Sequence, residues 1–154
     1  MSGTPKTSVI LMADDDADDR LLVQDAFAES QFGGELRFVQ DGEELLDYLL
    51  HRGKYEAQAQ APRPRLILLD LNMPKKDGRE VLREIKADLD LRRIPVIVLT
   101  TSHADTDIGV VYELGANSFV TKPVKFDLLV KVMRALDQYW FGTVELPGPR
   151  RTGL

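Results

Sequence analysis

Asp70 ends the apolar run Leu66, Ile67, Leu68, Leu69, and such a carboxylate can serve either as a turn cap or as a nucleophile that takes a phosphoryl group. Other chemistry-bearing residues hold the same kind of position. Asp14 and Asp15 follow the run Val9–Ala13, Thr100 closes Val96–Leu99, and Lys122 comes just after Phe119 and Val120. Each has an ordinary reading when taken alone. Acids before a helix stabilise its N-terminus by about 0.3–1 kcal/mol each, a threonine suits a strand, and a lysine is usually a solvated surface group. Asp16, Asp18 and Asp19 fit the helix-start reading well, whereas Asp14 and Asp15 directly abut a buried run.

The elements that must position these residues follow from periodicity. Val9–Met12 is an apolar run, and Leu22, Val23, Ala26 and Phe27 recur at helical spacing after it. Gly33 and Gly34 break that pattern, Leu36–Val39 forms a short strand, and Leu45, Leu46, Leu49 and Leu50 mark the next helix. The stretch from Arg52 to Arg65, with Pro62 and Pro64, lacks periodicity and reads as an exposed connector. Leu66–Leu69 suits a strand buried on both faces, which Pro74 and Gly78 break into a loop. Val81, Leu82, Ile85 and Leu89 mark a helix face, and Pro95 opens the strand through Thr100. Ile108, Val111, Tyr112 and Leu114 outline a helix ended by Gly115, and Pro123 precedes the last helix. Five strands alternating with five helices predict an α/β fold, a doubly wound parallel sheet with helices on both faces.

In a flavodoxin-like strand order, 2-1-3-4-5, the first and third strands flank the switch point where ligands bind beyond the strands' carboxyl ends. Asp14, Asp15 and Asp70 then converge. Three such carboxylates repel one another unless a cation sits among them. The chain has no cysteine, and neither His51 nor His103 falls at a predicted strand end, so an oxygen-only donor set favours Mg2+ or Mn2+ over zinc.

Composition limits the remaining possibilities. The 154 residues, 44% hydrophobic and 29% charged, suit one globular domain, with residues 1–8 as an N-terminal extension, 9–141 as the domain and 142–154 as a tail. A net charge of -5 argues against a nucleic-acid surface, and no apolar stretch is long enough to span a bilayer. Zero cysteines exclude disulfides and thiol chemistry, and the start MSGTPKTS lacks a secretory signal core, which makes the cytoplasm the expected location.

Taken together and in order, DD after the first strand, DLNMP with K-x-DG after the third, Thr after the fourth and K-P after the fifth resemble the response-regulator receiver domain of two-component systems, over about Val9 to Tyr139. The resemblance implies that Asp70 is the phosphoacceptor, that Asp15 binds the metal directly and Asp14 through water, and that the backbone carbonyl of Asn72 is a further ligand. It also implies that Thr100 bonds the phosphoryl group, that Lys122 pairs with it, and that Pro123 follows a cis peptide bond. The donor is then a phosphohistidine of a sensor histidine kinase, and a divalent ion with Lys122 neutralises the charge on the transferring group. Thr100 and Phe119 are the implied switch residues, Phe119 standing where many relatives carry tyrosine. Thr101 is bulkier than the alanine frequent at its position, which predicts an altered phosphoryl lifetime.

More narrowly, PRPRLILLDLNMPKKDGREVL, IPVIVLTTS and YWFGTVELP resemble single-domain regulators paired with bacterial phytochrome histidine kinases. With no room predicted for an output domain, output is expected through binding. Phe126, Leu129, Met133, Leu136 and Trp140 form one stripe of the last helix, and Leu128, Val132, Ala135 and Tyr139 an adjacent one. Phe126 with an exposed Trp140 and Phe141 thus predicts a homodimer built on this helix and the tail. Two alternatives stay open. One is a phosphorylation-independent interaction module. The other is an aspartyl-phosphate phosphatase of the haloacid dehalogenase type, although the segment Asp70, Leu71, Asn72 lacks that family's second acid.

Overall fold

Alternate residues of the central strands serve opposite faces of one sheet, which is why those strands read as unbroken apolar runs. In the computed structural model, which describes residues 8–101 and 105–148, the elements are β1 (Val9–Ala13), α1 (Ala17–Glu29), β2 (Glu35–Val39), α2 (Gly42–Leu50), β3 (Leu66–Leu69), α3 (Gly78–Ala87), β4 (Val96–Thr100), α4 (Asp105–Glu113), β5 (Ser118–Thr121) and α5 (Phe126–Gly142). Every strand pair is parallel and the order is β2-β1-β3-β4-β5, as the alternation of elements predicts. The expected extension and tail reach into residues 1–7 and 149–154, which lie outside the described residues, as does His103.

Leu11, Ala13, Ile67, Leu69, Val96 and Val98 face α2 and α3, where they pack on Leu45, Leu49, Val81, Leu82 and Ile85. Ile10, Met12, Leu66, Leu68, Ile97 and Leu99 face the other layer, with Val23 and Phe27 of α1 and Leu129, Met133 and Leu136 of α5. A fully buried Leu or Ile contributes about 1.5–3 kcal/mol, so these two layers supply most of what holds the sheet. The edge strands β2 and β5 are only partly buried.

Aspartates start three of the helices. Asp16 accepts from the Asp18 and Asp19 N–H groups, Asp41 from Glu44 and Asp77 from Arg79, each a cap worth about 1 kcal/mol.

Several expectations are corrected. Helix α3 stops at Ala87 because Asp88 turns extended and its carboxylate accepts from the N–H groups of Asp90 and Leu91, each at 2.9 Å. Leu89 is therefore exposed, and Leu91 takes the buried place. The connector is not simply exposed. It forms two short 3-10 turns, Gly53–Tyr55 and Gln58–Gln60, and Ala61 is fully buried. Its carbonyls are bonded by Tyr48 Oη, which donates to Pro62 O at 2.8 Å, and by His51 Nε2, at 2.9 Å from Ala61 O.

Gly78 is not a chain breaker; it is the first residue of α3, and a Cβ there would meet the Asp70 carbonyl oxygen at 2.6 Å and Leu71 Cα at 2.7 Å. Phe141 and Trp140 are not left at an open end. Phe141 packs edge-on against Phe32, which stacks on Phe27, and both Trp140 and Phe141 lie partly buried against the α1/α5 layer. The Lys122–Pro123 peptide is trans, since no described peptide bond is cis; the isomers differ by only about 0.5–1 kcal/mol, so local packing decides between them.

Candidate functional site

The parallel ladders run one residue past the strands and so fix where the site residues stand. Asp14 N–H donates to Val39 O at 3.1 Å, Asp70 N–H to Ala13 O at 3.1 Å, and Lys122 N–H to Thr100 O at 2.7 Å. Asp14, Asp70, Thr100 and Lys122 therefore emerge along the same edge of the sheet, and all four are buried. Asp15, one residue further out, is exposed.

Asp70 is held by its neighbours. Thr100 Oγ1 donates to Asp70 Oδ1 at 2.9 Å, and the Asn72 N–H reaches the same oxygen at 3.3 Å. Lys122 Nζ donates to Asp14 Oδ2 at 2.8 Å and Asp19 Oδ2 at 3.1 Å, and lies 3.9 Å from Asp70 Oδ2. The other Asp14 oxygen accepts from the Asp16 N–H at 3.0 Å, and Arg20 Nη1 donates to the Asp14 carbonyl at 2.8 Å. One carboxylate oxygen each from Asp14, Asp15 and Asp70 lies within 4.8 Å of the others, the spacing of a set that can hold an ion.

Burial pushes the Asp70 carboxyl above its ordinary value, outweighing the ammonium of Lys122 and the bonds from Thr100 and Asn72 that pull it down. Lys122 is raised as well, but with burial on the opposite side of the balance. Burial alone would lower it, but the bond to Asp14 and the charges of Asp14 and Asp70 hold it above the usual lysine value. The ammonium stays charged among an excess of acids, and a further cation among them would be stabilised by the same field.

Other expected residues are placed as follows. The Asn72 side chain is exposed, with its N–H turned to Asp70. Phe119 is partly buried against the α2/α3 layer, and its N–H donates to Tyr112 Oη of α4 at 3.2 Å. Thr101 is exposed next to Thr100. Phe126 on α5 is 38% exposed, so it stays available at the surface while Trp140 and Phe141 turn inward. Asp19 belongs with the site, contrary to its reading as a helix-start charge. It lies five residues after Asp14, past the cap and in the first turn of α1, where the sequence alone does not tell which of two adjacent acids turns to the sheet edge. Beside the site, Arg79 at the start of α3 bonds Asp77 and reaches Asp107 of α4 at 2.6 Å.

Known proteins resemble this chain in both sequence and structure. A family model described as the response regulator receiver domain matches residues 10–134. The response regulator Rcp1 of Synechocystis sp. is 47% identical over 146 residues, covering 95% of this chain and 96% of that protein. Its crystal structure in the Mn2+-bound form superposes with a TM-score of 0.81 at 46% identity, covering 92% of this chain and 99% of that one. The phosphorylated cyanobacterial phytochrome response regulator RcpA gives a TM-score of 0.84 at 44% identity, with the same coverage.

Proposed function

The chain belongs to the response regulator receiver domain family, and from that premise we propose that Asp70 accepts a phosphoryl group from a phosphohistidine of a sensor histidine kinase of the phytochrome type. The observation that carries this reading is the meeting, at one sheet edge, of the buried Asp70 carboxylate with the Thr100 hydroxyl, the Lys122 ammonium and two further acids. The phytochrome assignment draws on the likeness to RcpA.

The donor set fits a hard divalent cation, Mg2+ or Mn2+. It is all oxygen, and the carboxylates of Asp14, Asp15 and Asp70 are close enough to share one ion. Asp15 and Asp70 would hold it directly, with the Asn72 carbonyl. Asp14, whose oxygens already accept from Lys122 and the Asp16 N–H, would act through water. When bound, such an ion neutralises charge on the equatorial oxygens of the transferring phosphoryl group.

The protein's own groups do the rest. An Asp70 carboxylate oxygen attacks phosphorus, forming the O–P bond as the P–N bond to the donor imidazole breaks, and the bonding pair leaves with the ring nitrogen. Lys122, already charged and 3.9 Å from Asp70, needs only a short movement to reach a phosphoryl oxygen. Thr100 exchanges its bond to Asp70 Oδ1 for one to the new group and draws the end of β4 with it. Thr101 stands at the rim, so T101A alters the lifetime of the acyl phosphate; unchanged decay removes that role.

This is a signalling protein whose own chemistry is its phosphorylation and dephosphorylation, acting in the cytoplasm and without nucleic acid. Among the described residues no helix is long and apolar enough to cross a membrane. Its output is a second copy of itself: Leu128 and Tyr139 expose apolar surface on one face of α5, and Phe126 exposes more on another face at its start. A monomer at micromolar concentration in light scattering, with and without a phosphoryl mimic, would overturn the dimer. For the main reading, the chain is incubated with purified phytochrome kinases, Mg2+ and labelled ATP beside D70N. Stoichiometric labelling of the parent and none of the variant is expected. Labelling that survives D70N excludes Asp70, and sustained phosphate release from small substrates would instead support a phosphatase.

A further inference from the structure

Lys122 is held by one acid that the phosphoacceptor reading does not use. Its ammonium has three N–H groups; one goes to Asp14 Oδ2 at 2.8 Å and one to Asp19 Oδ2 at 3.1 Å, while Asp70 Oδ2 stays at 3.9 Å, beyond hydrogen-bond reach. The lysine side chain is 4% exposed, so water does not compete strongly for it. Asp19 and Asp18 both lie in the first turn of α1 with the same charge and the same helix-end environment, yet Asp18 is exposed and makes no bond to Lys122. What separates them is the direction of the side chain: Asp19 is partly buried against the ammonium and Asp18 faces solvent.

We propose that Asp19 is a positioning residue for phosphoryl transfer, holding the Lys122 ammonium off the Asp70 carboxylate until a phosphoryl group arrives. This rests on Asp70 being the phosphoacceptor. An ammonium bonded straight to Asp70 would occupy a lone pair that the attack requires and would settle where the ground state, not the transition state, is best stabilised. With Asp14 as its only other tether, Lys122 is drawn by the full charge of Asp70 across a gap of about one ångström. Asp19 supplies the opposing pull, leaving the third N–H for an oxygen of the transferring group. Because the bond runs from α1 to the residue after β5, the same contact ties the helix to the loop that leads into α5.

The test uses the full chain, with acetyl phosphate as the donor and saturating Mg2+, so that altered ion affinity does not enter the rate. Phosphorylation is followed by intact-protein mass. D19N is expected to slow phosphorylation about tenfold, the scale of a misplaced catalytic group. D18N, which removes the same charge from the same turn, is expected to keep the parental rate, and D19E to recover most of the loss. These comparisons separate positioning from helix-end stabilisation, which the two acids share. D19N at the parental rate, or D18N slowed as much as D19N, would overturn the proposal. A parent that takes no phosphoryl group on Asp70 would remove the phosphoacceptor reading and this one with it, whereas a labelled parent with an unaffected D19N removes only this one.

Discussion

The two ends of the sheet bury polar groups in opposite ways. At the amino end, around the mouths of β3 and β4, the Tyr48 hydroxyl and the His51 ring bond connector carbonyls, and Arg63 pairs with Asp90 at 2.8 Å. A cavity of about 400 Å3 opens there among Leu49, Leu50, Pro64 and Leu91, yet its polar walls are matched to one another. At the carboxyl end, Asp14, Asp15, Asp19 and Asp70 surround a single buried ammonium, with a guanidinium only on a backbone carbonyl. The first arrangement finishes the structure. The second leaves an excess of negative charge that a divalent cation can offset, and that difference, rather than the size of a hollow, marks the candidate site.

The largest break of this contrast is D70N. It is expected to abolish phosphorylation and, in metal-free buffer at neutral pH, to raise the thermal midpoint, because the amide carries no buried charge penalty. The sign follows from the raised carboxyl of Asp70. A group that ionises later in the folded state than its ordinary 3.8 adds stability below that value and loses it as pH rises through the folded one. The gain in D70N should therefore vanish in strong acid and be complete at neutral pH, which calorimetry across pH measures.

Next in size is G78A. Its Cβ meets backbone rather than a yielding side chain, and a loss of about 1–3 kcal/mol is expected in urea unfolding, together with slower phosphorylation because the atoms that must move belong to Asp70 and Leu71. At the amino end, Y48F removes the donor to Pro62 and should cost about 0.5–1.5 kcal/mol while leaving phosphorylation unchanged. Smallest is R63A, which loses a partly exposed ion pair worth about 0–1 kcal/mol. A change in phosphorylation rate in either amino-end variant would mean that the two ends are not independent.

Strand ends were the legible part of the site. Asp70 and Thr100 close apolar runs that are plain in the sequence and Lys122 follows the shorter Phe119–Val120 pair, and a parallel sheet sends all such ends to one edge. Asp19 was not legible, because two adjacent acids in a helical turn differ only in direction, which a period of 3.6 does not assign without a neighbour. The connector hides its order for a related reason: 3-10 turns carry no amphipathic period, so nothing in the sequence marks Ala61 as fully buried. Leu89 kept the helical spacing of Ile85 beyond the helix itself, since the Asp88 side chain redirects the backbone. The place of Phe141 is hidden because its partner Phe32 lies more than a hundred residues away, in a loop that shows no pattern.

Gly78 carries a mechanical consequence. Helix α3 begins against the carbonyl of Asp70, the Gly78 N–H is anchored to Leu71 O at 2.9 Å, and the Asp70 N–H is pinned to β1, so the main chain beneath the nucleophile is clamped on two sides. A side chain that gains a phosphoryl group on such an anvil cannot recoil into its own backbone. The opposite side is less clamped: there Thr100 bonds Asp70 through its hydroxyl, and in α4 Val111 is the buried residue among those described. On the proposed phosphorylation of Asp70, movement is therefore expected on the Thr100 side rather than beneath the carboxylate.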